Sequence, residues 1–307
     1  KRTRYDTPQE AQWSFKLECI RDMRTIVRAG QFVDEKVSLR FQFVSVDGQK
    51  KLAITVDGTD AARSCSVSGR VVVDSYQFSE SFHENDLSDL VLCVICKELL
   101  TLLESDANAH NSFEMRGYQN DPHVWIHVLD PQHPGSMERM RLSTYVSDGK
   151  RRPFKTLTFA YRIEMDTVKF RDFFNRAKSI GAEKVCITIW IYKRNGKEMS
   201  LVQLLCEGNS MMSATFYGEP ETDDEGLPVV RAVSDAKYND EGEPPEEEVF
   251  ESYFKIDFLV RFFKLVSDRI VVGKVMQNYP LFLEHYLKGG DTDESYLRYL
   301  VGATTED

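Results

Sequence analysis

The sequence lacks most of the signatures that identify an enzyme or a membrane protein. Its 307 residues contain no apolar run of about 18 residues, so we expect no membrane-spanning helix. There is no glycine-rich phosphate loop, no nucleophile elbow and no pair of carboxylates at catalytic spacing. We therefore predict a protein that is not an enzyme and that uses no cofactor and no metal.

Cysteine is scarce, because six residues in a chain of this length do not form a disulfide framework, and we expect a reducing compartment. Cys93 and Cys96 form a single pair, for which two buried thiols are a better interpretation than a redox or zinc site. His123 and His127 would share one face of a strand, with His133 nearby, but a metal site needs further ligands. The preferred interpretation is that none of these residues binds a metal.

The net charge of −10 opposes nucleic-acid binding until its distribution is considered. Residues 219–248 hold twelve acidic residues against Arg231 and Lys237, so this acidic segment alone carries a charge of −10. The other 277 residues are balanced, with 37 basic (39 minus 2) and 37 acidic (49 minus 12) side chains. The acidic segment is rich in Gly and Pro and has few apolar residues outside 227–230, which predicts a solvated or disordered loop.

The two halves of the chain repeat each other. Residues 28–39 (RAGQFVDEKVSL) recur as residues 176–187 (RAKSIGAEKVCI), at an offset of 148 residues. Both copies predict an amphipathic helix, a turn and a strand with alternating apolar side chains. A weaker match links residues 95–106 to 257–268 at an offset of 162, and one insertion at the acidic segment would explain the difference. Two matches in the same order predict two copies of one helix-plus-sheet domain.

The rest of the chain has the β-branched and aromatic content of short strands separated by Gly- and Asp-rich turns. Four short helices among roughly eighteen strands indicate an α+β protein. Residues 289–291 (GGD) predict a hairpin turn before the last strand. The predicted strands outside the repeat are 52–56, 65–73, 90–94, 124–129, 139–145, 157–163, 201–205, 211–217, 270–275, 281–287 and 296–301.

Basic residues line one face of three predicted helices. One such face is ordinarily a solvated surface, but three of them, two at repeat-related positions, favour contact with DNA phosphates without reading sequence. The helix at 95–103 departs from this pattern because it has only one cation, next to Glu98. The candidate DNA-binding residues are Arg21, Arg24 and Arg28 on the first helix, Lys97 on the second, Lys169, Arg171, Arg176 and Lys178 on the third, and Arg261 and Lys264 on the fourth.

Three C-terminal segments follow one another in a familiar order: 258–264 (FLVRFFK), 278–286 (NYPLFLEHY) and 295–307 (SYLRYLVGATTED). They resemble the last helix, a strand built on a Pro-Leu core, and the closing strand and acidic tail of the eukaryotic and archaeal DNA sliding clamps, the proliferating cell nuclear antigen (PCNA) family. Residues 13–43 and 158–181 resemble the starts of that family's two domains. The resemblance covers most of the chain at low identity.

This resemblance implies an α+β DNA clamp fold, in which two repeated domains each place antiparallel sheets outside and two helices toward the hole of a ring. It implies an extension at 1–12, clamp domains at 13–146 and 157–307, and a connector at 147–156. It further implies a homotrimer that encircles double-stranded DNA independently of sequence and is opened by an ATP-dependent clamp loader. The implied location is the nucleus or a viral replication compartment.

The resemblance also implies a pocket for short peptide motifs of DNA polymerase and other client proteins. An aromatic side chain entering an apolar pocket would supply much of the affinity. The connector (DGKRRPF at 148–154) is more basic than the family leads us to expect, and the acidic segment is long, which indicates a divergent branch such as that of a large DNA virus. The candidate partner-binding residues are Val56, Asp57, Phe154, Pro280, Tyr299 and Val301.

Other functions remain open at this point. The same fold would suit one subunit of a heterotrimeric checkpoint clamp, or an open viral processivity factor that acts as a monomer or dimer, and ring stoichiometry separates these from a homotrimer. An enzyme would have to show an activity that depends on His123. A purely structural β-rich protein would not bind DNA.

Overall fold

A computed structural model gives the fold of the chain as two compact units. Unit 1 consists of Lys1–Gly58, Val67–Pro153 and Tyr286–Leu297, and unit 2 of Thr59–Ser66, Phe154–His285 and Arg298–Asp307. Within the part of the chain that the structure describes, no helix is long and apolar enough to cross a membrane. The described residues are 11–18, 20–88, 90–104, 112–118, 121, 123–129, 137–145, 158–194, 196–219, 221–222, 226, 228–232, 250–276, 279–287 and 295–304.

The elements of the first half alternate single helices with runs of strands. A short 3-10 helix at Glu84–Ser88 precedes β6. In chain order the elements are β1 (Trp13–Leu17), α1 (Ile20–Gln31), β2 (Lys36–Val46), β3 (Gln49–Thr59), β4 (Cys65–Val72), β5 (Ser75–Phe78), β6 (Val91–Ile95), α2 (Cys96–Leu103), β7 (Ser112–Gly117), β8 (His123–Leu129) and β9 (Met137–Ser143).

The second half repeats this order. It contains β10 (Tyr161–Asp166), α3 (Thr167–Ser179), β11 (Lys184–Arg194), β12 (Lys197–Glu207), β13 (Met211–Gly218), β14 (Glu221–Thr222), β15 (Pro228–Ala232), β16 (Phe250–Lys255), α4 (Ile256–Leu265), β17 (Ile270–Val275), β18 (Leu281–Tyr286), β19 (Tyr296–Val301) and β20 (Ala303–Thr304).

Sheet topology shows that the two halves are copies of one domain plan. Unit 1 has strand orders β5-β1-β7-β8-β9 and β4-β3-β2-β6, and unit 2 has β15-β10-β17-β18-β19 and β13-β12-β11-β16, with β14 and β20 added at the edges. The copies differ at one place, because β10 pairs with β15 in parallel whereas β1 pairs with β5 antiparallel. The predicted repeat is therefore present in three dimensions.

Local sequence explains the β2–β3 hairpin. Val37, Leu39 and Phe41 are buried on one face of β2 while the residues between them are partly exposed. The strands are joined by Asp47 and Gly48, both with positive φ (49° and 74°), which fits the twist of a two-residue hairpin turn.

Each unit buries its helices against its sheets. In unit 1, α1 and α2 contribute Met23, Val27 and Leu99 to a core that also contains Phe15 and Phe113 of the sheet. In unit 2 the core is aromatic: the ring of Phe170 stacks on Phe216 at 4.8 Å between ring centroids, and Phe174 meets Phe263 at 5.3 Å. Burying each such side chain contributes roughly 1.5–3 kcal/mol, so these contacts set how the helices lie on the sheets.

The structure corrects the register of the weaker repeat. Lys36 pairs with Ile95 in unit 1, and its repeat partner Lys184 pairs with Lys255 in unit 2. The structural offset at the second helix is therefore 160 residues (255 minus 95), not the predicted 162. Two amphipathic helices give similar apolar matches when slid by a few residues, which is why the sequence comparison chose the wrong register.

The prediction of a loop over residues 219–248 is wrong for its first half. Residues 221–222 and 228–232 form β14 and β15, with Val230 and Ala232 fully buried beside β10. One of the acids there is neutralised, since Arg231 donates to both carboxylate oxygens of Glu221 at 2.8 and 2.7 Å. Residues 233–249, the predicted connector at 147–156 and the predicted turn at 289–291 lie outside the described residues.

Candidate nucleic-acid interface

The first helix presents its arginines along one side, as its spacing predicted. Arg21 is exposed, Arg24 and Arg28 are half-buried, and Ile20, Met23 and Val27 face the core. Arg28 is in an ion pair: its Nε lies 2.9 Å from Oε1 of Glu104, just after α2. Arg24 has Nε and Nη2 buried without a hydrogen-bond partner among the described residues. Buried guanidinium nitrogens usually have hydrogen-bond partners, so an acceptor next to Arg24 would form the hydrogen bonds that its Nε and Nη2 lack here.

The neighbouring α2 contributes one exposed cation, Lys97, next to Glu98. The helix packs against α1 through Leu99 and Leu103. Unit 1 therefore brings the helix-borne Arg21, Arg24, Arg28 and Lys97 to one helix pair, with Glu104 offsetting part of their charge.

The third helix begins at a defined cap. The carboxylate oxygen Oδ1 of Asp166 accepts hydrogen bonds from the backbone N–H groups of Val168 and Lys169 at 3.0 and 3.1 Å. Such a cap contributes about 1 kcal/mol and fixes where the helix starts. It thereby sets the rotation that leaves Arg176 and Lys178 exposed while Phe170 and Phe174 are buried.

One predicted DNA-binding residue on this helix, Arg171, forms hydrogen bonds to the neighbouring helix α4. Arg171 donates from Nε to the carbonyl oxygen of Phe263 at 2.8 Å and from Nη2 to that of Val266 at 2.6 Å. These carbonyls belong to the C-terminal end of α4, where four carbonyl groups lack partners within the helix. Arg171 thus joins the two helices of unit 2, and its predicted contact with a phosphate stays a prediction.

The fourth helix places Arg261 and Lys264 toward the surface, the first half-buried and the second exposed. Asp257 in its first turn lies 2.5 Å from Nζ of Lys178 on α3. The hydrogen bond from Lys178, followed by the charges of Lys178 and Arg261, lowers the pKa of the Asp257 carboxyl against the opposing effect of burial. This carboxylate therefore stays ionised and offsets one of the helix cations.

Each helix pair carries exposed cations, but at positions that the repeat does not equate, since Arg176 corresponds to Arg28 and Lys264 to Glu104. Among the described residues of these four helices, the exposed cations without a carboxylate partner are Arg21 and Lys97 in unit 1 and Arg176 and Lys264 in unit 2. Arg176 is held only by its Nε donating to the carbonyl oxygen of Asp172 in its own helix, at 3.3 Å. Such side chains can contact phosphates without distinguishing bases. Lys169, half-buried on α3, lies close to this set in sequence.

The predicted partner-binding residues do not form an accessible group. Val56, Tyr299 and Val301 are fully buried core residues, so their side chains have no surface to offer a peptide. Asp57 and Pro280 are half-buried and remain candidates, and Phe154 lies outside the described residues. In β19 the half-buried side chains are Arg298 and Leu300, which alternate with the buried ones. The charged Arg298 indicates in the sequence which side of β19 faces solvent, and Leu300 is the apolar residue on that side.

The cysteine and histidine motifs have structural roles. Cys93 and Cys96 are buried free thiols, and burial, followed by the charge of Asp34, raises the pKa of Cys96 to about 12. Nδ1 of His123 lies 2.8 Å from Asp121 in a local turn. In the described part of the chain, no three His, Cys, Asp or Glu residues cluster in a way that could hold a metal ion.

Comparisons with known proteins give one clear result. No protein-family model and no curated protein matches the sequence. The fold is similar to the crystal structure of the proliferating cellular nuclear antigen of Entamoeba histolytica, with a TM-score of 0.67 and 12% sequence identity over 96% of this chain and 100% of that one. At this identity the likeness establishes the fold, so the chain has the α+β DNA clamp fold that its sequence predicted.

Proposed function

We propose that the chain is a DNA sliding clamp and polymerase processivity factor that encircles duplex DNA and recruits replication and repair proteins. The observation that carries the proposal is the likeness of the whole chain to a PCNA structure. The repeated helix pairs support it, because the helices of each unit hold exposed cations that no described carboxylate neutralises. A clamp of this kind is a tether and has no catalytic residues.

Closure of a ring requires strands that accept new partners. β9 ends one sheet of unit 1 and β13 ends one sheet of unit 2 in the part of the chain that the structure describes. Unpaired strand edges offer backbone N–H and carbonyl groups to another chain. We propose that β9 of one protomer pairs with β13 of the next, giving a homotrimer that an ATP-dependent loader opens on DNA in a nucleus or viral replication compartment.

Client binding would then use the solvent-facing side of β19 at Leu300, while Asp57 and Pro280 stay separate candidates. Charge and shape at this surface would select the peptide motifs of a polymerase and other factors. A peptide that competes with a DNA polymerase for the clamp should bind more weakly to Leu300→Ala and as well as before to Tyr299→Phe, because only Leu300 has exposed surface.

The first experiment is the mass in solution by light scattering at two ionic strengths. A mass of about three chains supports a closed homotrimer. A monomer or dimer that still stimulates a polymerase would move the function to an open processivity factor. A ring that forms only with two different partner chains would indicate a heterotrimeric clamp of the checkpoint type.

The second experiment tests the helix cations. The variants Arg21→Gln with Lys97→Gln, and Arg176→Gln with Lys264→Gln, should weaken retention on nicked circular duplex DNA and lower the salt slope by roughly 0.9 for each lost phosphate contact. Arg63→Gln with Arg269→Gln removes the same two charges from exposed positions outside the helices and is the matched control. Equal losses for the control and the helix variants would show that the helices do not contact DNA.

A further inference from the structure

The sheet β5-β1-β7-β8-β9 of unit 1 has a face, opposite to its core face, to which the proposed clamp function assigns no role. Its core face carries Phe15, Phe113 and Ile126, while the residues between them point the other way. Strand register aligns these outer residues in two rows across the sheet. One row is Lys16–Glu114–His127–Arg139 and the other is Ser14–Arg116–Trp125–Arg141; together they are called the basic sheet face.

The charge of this face is mostly positive. Arg139 and Arg141 are exposed on β9, and Lys16 is half-buried on β1; none of the three has an ion pair with a described residue. The one carboxylate, Glu114, accepts from Nη2 of Arg116 at 2.8 Å. Alternate residues of a strand are about 7 Å apart and neighbouring strands about 4.8 Å, so the cations form a short grid.

An aromatic and a buried imidazole side chain, Trp125 and His127, lie in the middle of the basic sheet face. Trp125 lies between Arg116 and Arg141, and its ring is positioned by Nε1 donating to Asp121 at 3.2 Å. His127 is 4% exposed, and its Nδ1 has no hydrogen-bond partner among the described residues. Burial and then the charge of Arg116 lower the pKa of His127, with Glu114 opposing and Arg139 adding to the effect. The positive charges around His127 thus outweigh the carboxylate.

The corresponding face of unit 2 provides an internal comparison. The strands β15, β10, β17, β18 and β19 occupy the same places there, but their outward arginines are paired with carboxylates, while Lys274 on β17 has no ion pair with a described residue. Arg231 is paired with Glu164 and Glu221, at 3.2 and 2.7 Å, and Arg298 is paired with Glu284 at 2.5 Å. Two copies of one sheet have therefore diverged in charge, and only the unit 1 copy keeps unneutralised arginines on its edge strand.

We propose that the basic sheet face binds a single strand of nucleic acid, independently of its sequence. Arg139 and Arg141 contact phosphates, for which the guanidinium group offers paired donors. Trp125 supplies an aromatic surface on which a base stacks, and this favours nucleic acid over an acidic peptide. The inference goes beyond the proposed clamp function and does not depend on ring closure, because the face lies within one unit.

The test uses the full chain and a fluorescein-labelled oligothymidylate of about 16 nucleotides, followed by fluorescence anisotropy. Arg139→Gln with Arg141→Gln should bind about tenfold more weakly at about 50 mM salt and should lower the salt slope by roughly 1.4, since two phosphate contacts are lost. Arg63→Gln with Arg269→Gln removes the same charge from exposed positions outside this face and outside the helices, and should leave this binding nearly unchanged. Thermal unfolding checks that all variants fold.

A second comparison isolates the stacking contribution. An abasic oligonucleotide of the same length should bind the wild type more weakly than oligothymidylate, and Trp125→Leu should remove this difference. The proposal is overturned if the β9 variant binds as tightly as the wild type, or if the control variant Arg63→Gln with Arg269→Gln loses as much. It is also wrong if a peptide with the sequence of residues 240–248 binds this face and the oligonucleotide does not, since the site would then be one for acidic peptides.

Discussion

Arg171 and Arg176 lie on the same helix and have the same charge. We predict that replacing Arg171 changes stability and that replacing Arg176 changes DNA binding. Arg171 joins α3 to the end of α4 through two carbonyl oxygens, whereas Arg176 is exposed and contacts only its own helix. Replacing Arg171 by Ala removes two hydrogen bonds from a charged donor and leaves the carbonyls of Phe263 and Val266 without it. Replacing Arg176 by Ala removes one exposed charge.

The magnitude follows from the geometry. A hydrogen bond to a charged group contributes about 1.5–3 kcal/mol, and two bonds from one guanidinium are not independent. We therefore expect Arg171→Ala to lower the free energy of unfolding by about 2–4 kcal/mol. For a unit of this size that corresponds to a fall in melting temperature of roughly 5–15 °C. Arg176→Ala should change stability by less than about 0.5 kcal/mol.

Urea unfolding followed by circular dichroism measures the stability of both variants, and DNA retention on circular duplex measures the other property. Arg171→Lys keeps one donor and should fall between the wild type and Arg171→Ala. We expect Arg176→Ala to weaken DNA retention at unchanged stability. The reasoning is refuted if the two alanine variants are equally stable, because the contacts to α4 would then contribute nothing.

Two further predictions concern buried polar groups. Tyr299 is fully buried and its hydroxyl has no hydrogen-bond partner among the described residues. Tyr299→Phe should therefore raise the free energy of unfolding, measured by urea titration, by about 1 kcal/mol. A loss of stability would show that the hydroxyl does have a hydrogen-bond partner. Burial lowers the pKa of His285, with Asp268 opposing at 3.0 Å, so the unfolded chain binds this proton more readily than the folded one. Stability should therefore fall as pH drops below about 6.5, by at most ~1.4 kcal/mol per pH unit from this group, and His285→Gln should give a shallower dependence between about pH 6.5 and 5.

The repeat and the fold class were predictable because they rest on periodicity. Alternation in 36–46 and 184–194, each after an amphipathic helix, is a local property that survives divergence. The strand at 228–232 was missed because acidic neighbours dominate the composition of its segment, while burial depends on pairing with β10. Amino-acid composition describes the average of a whole segment, whereas a strand forms where its backbone finds a neighbouring strand to pair with.

The roles of individual cations were less predictable for a different reason. Helical spacing places Arg171 near Arg176 in the same basic set, yet it does not show that the end of α4 lies within reach of one and not the other. Likewise Glu104 and Asp257, which neutralise Arg28 and Lys178, come from distant positions. Which charges remain for a ligand is decided by contacts between helices, and one sequence without structure does not contain that information.

The composition of unit 1 has a consequence for biosynthesis. The unit contains Tyr286–Leu297, near the end of the chain, where Ser295 Oγ accepts from the backbone N–H of Val72 at 3.0 Å and Leu287 enters the core. A ribosome therefore releases the last part of the first-half unit only after residues 154–285 of unit 2 have been made. We expect unit 1 to mature after those residues have been synthesised and to depend on chaperones until then, and a fragment ending at residue 153 to be prone to aggregation.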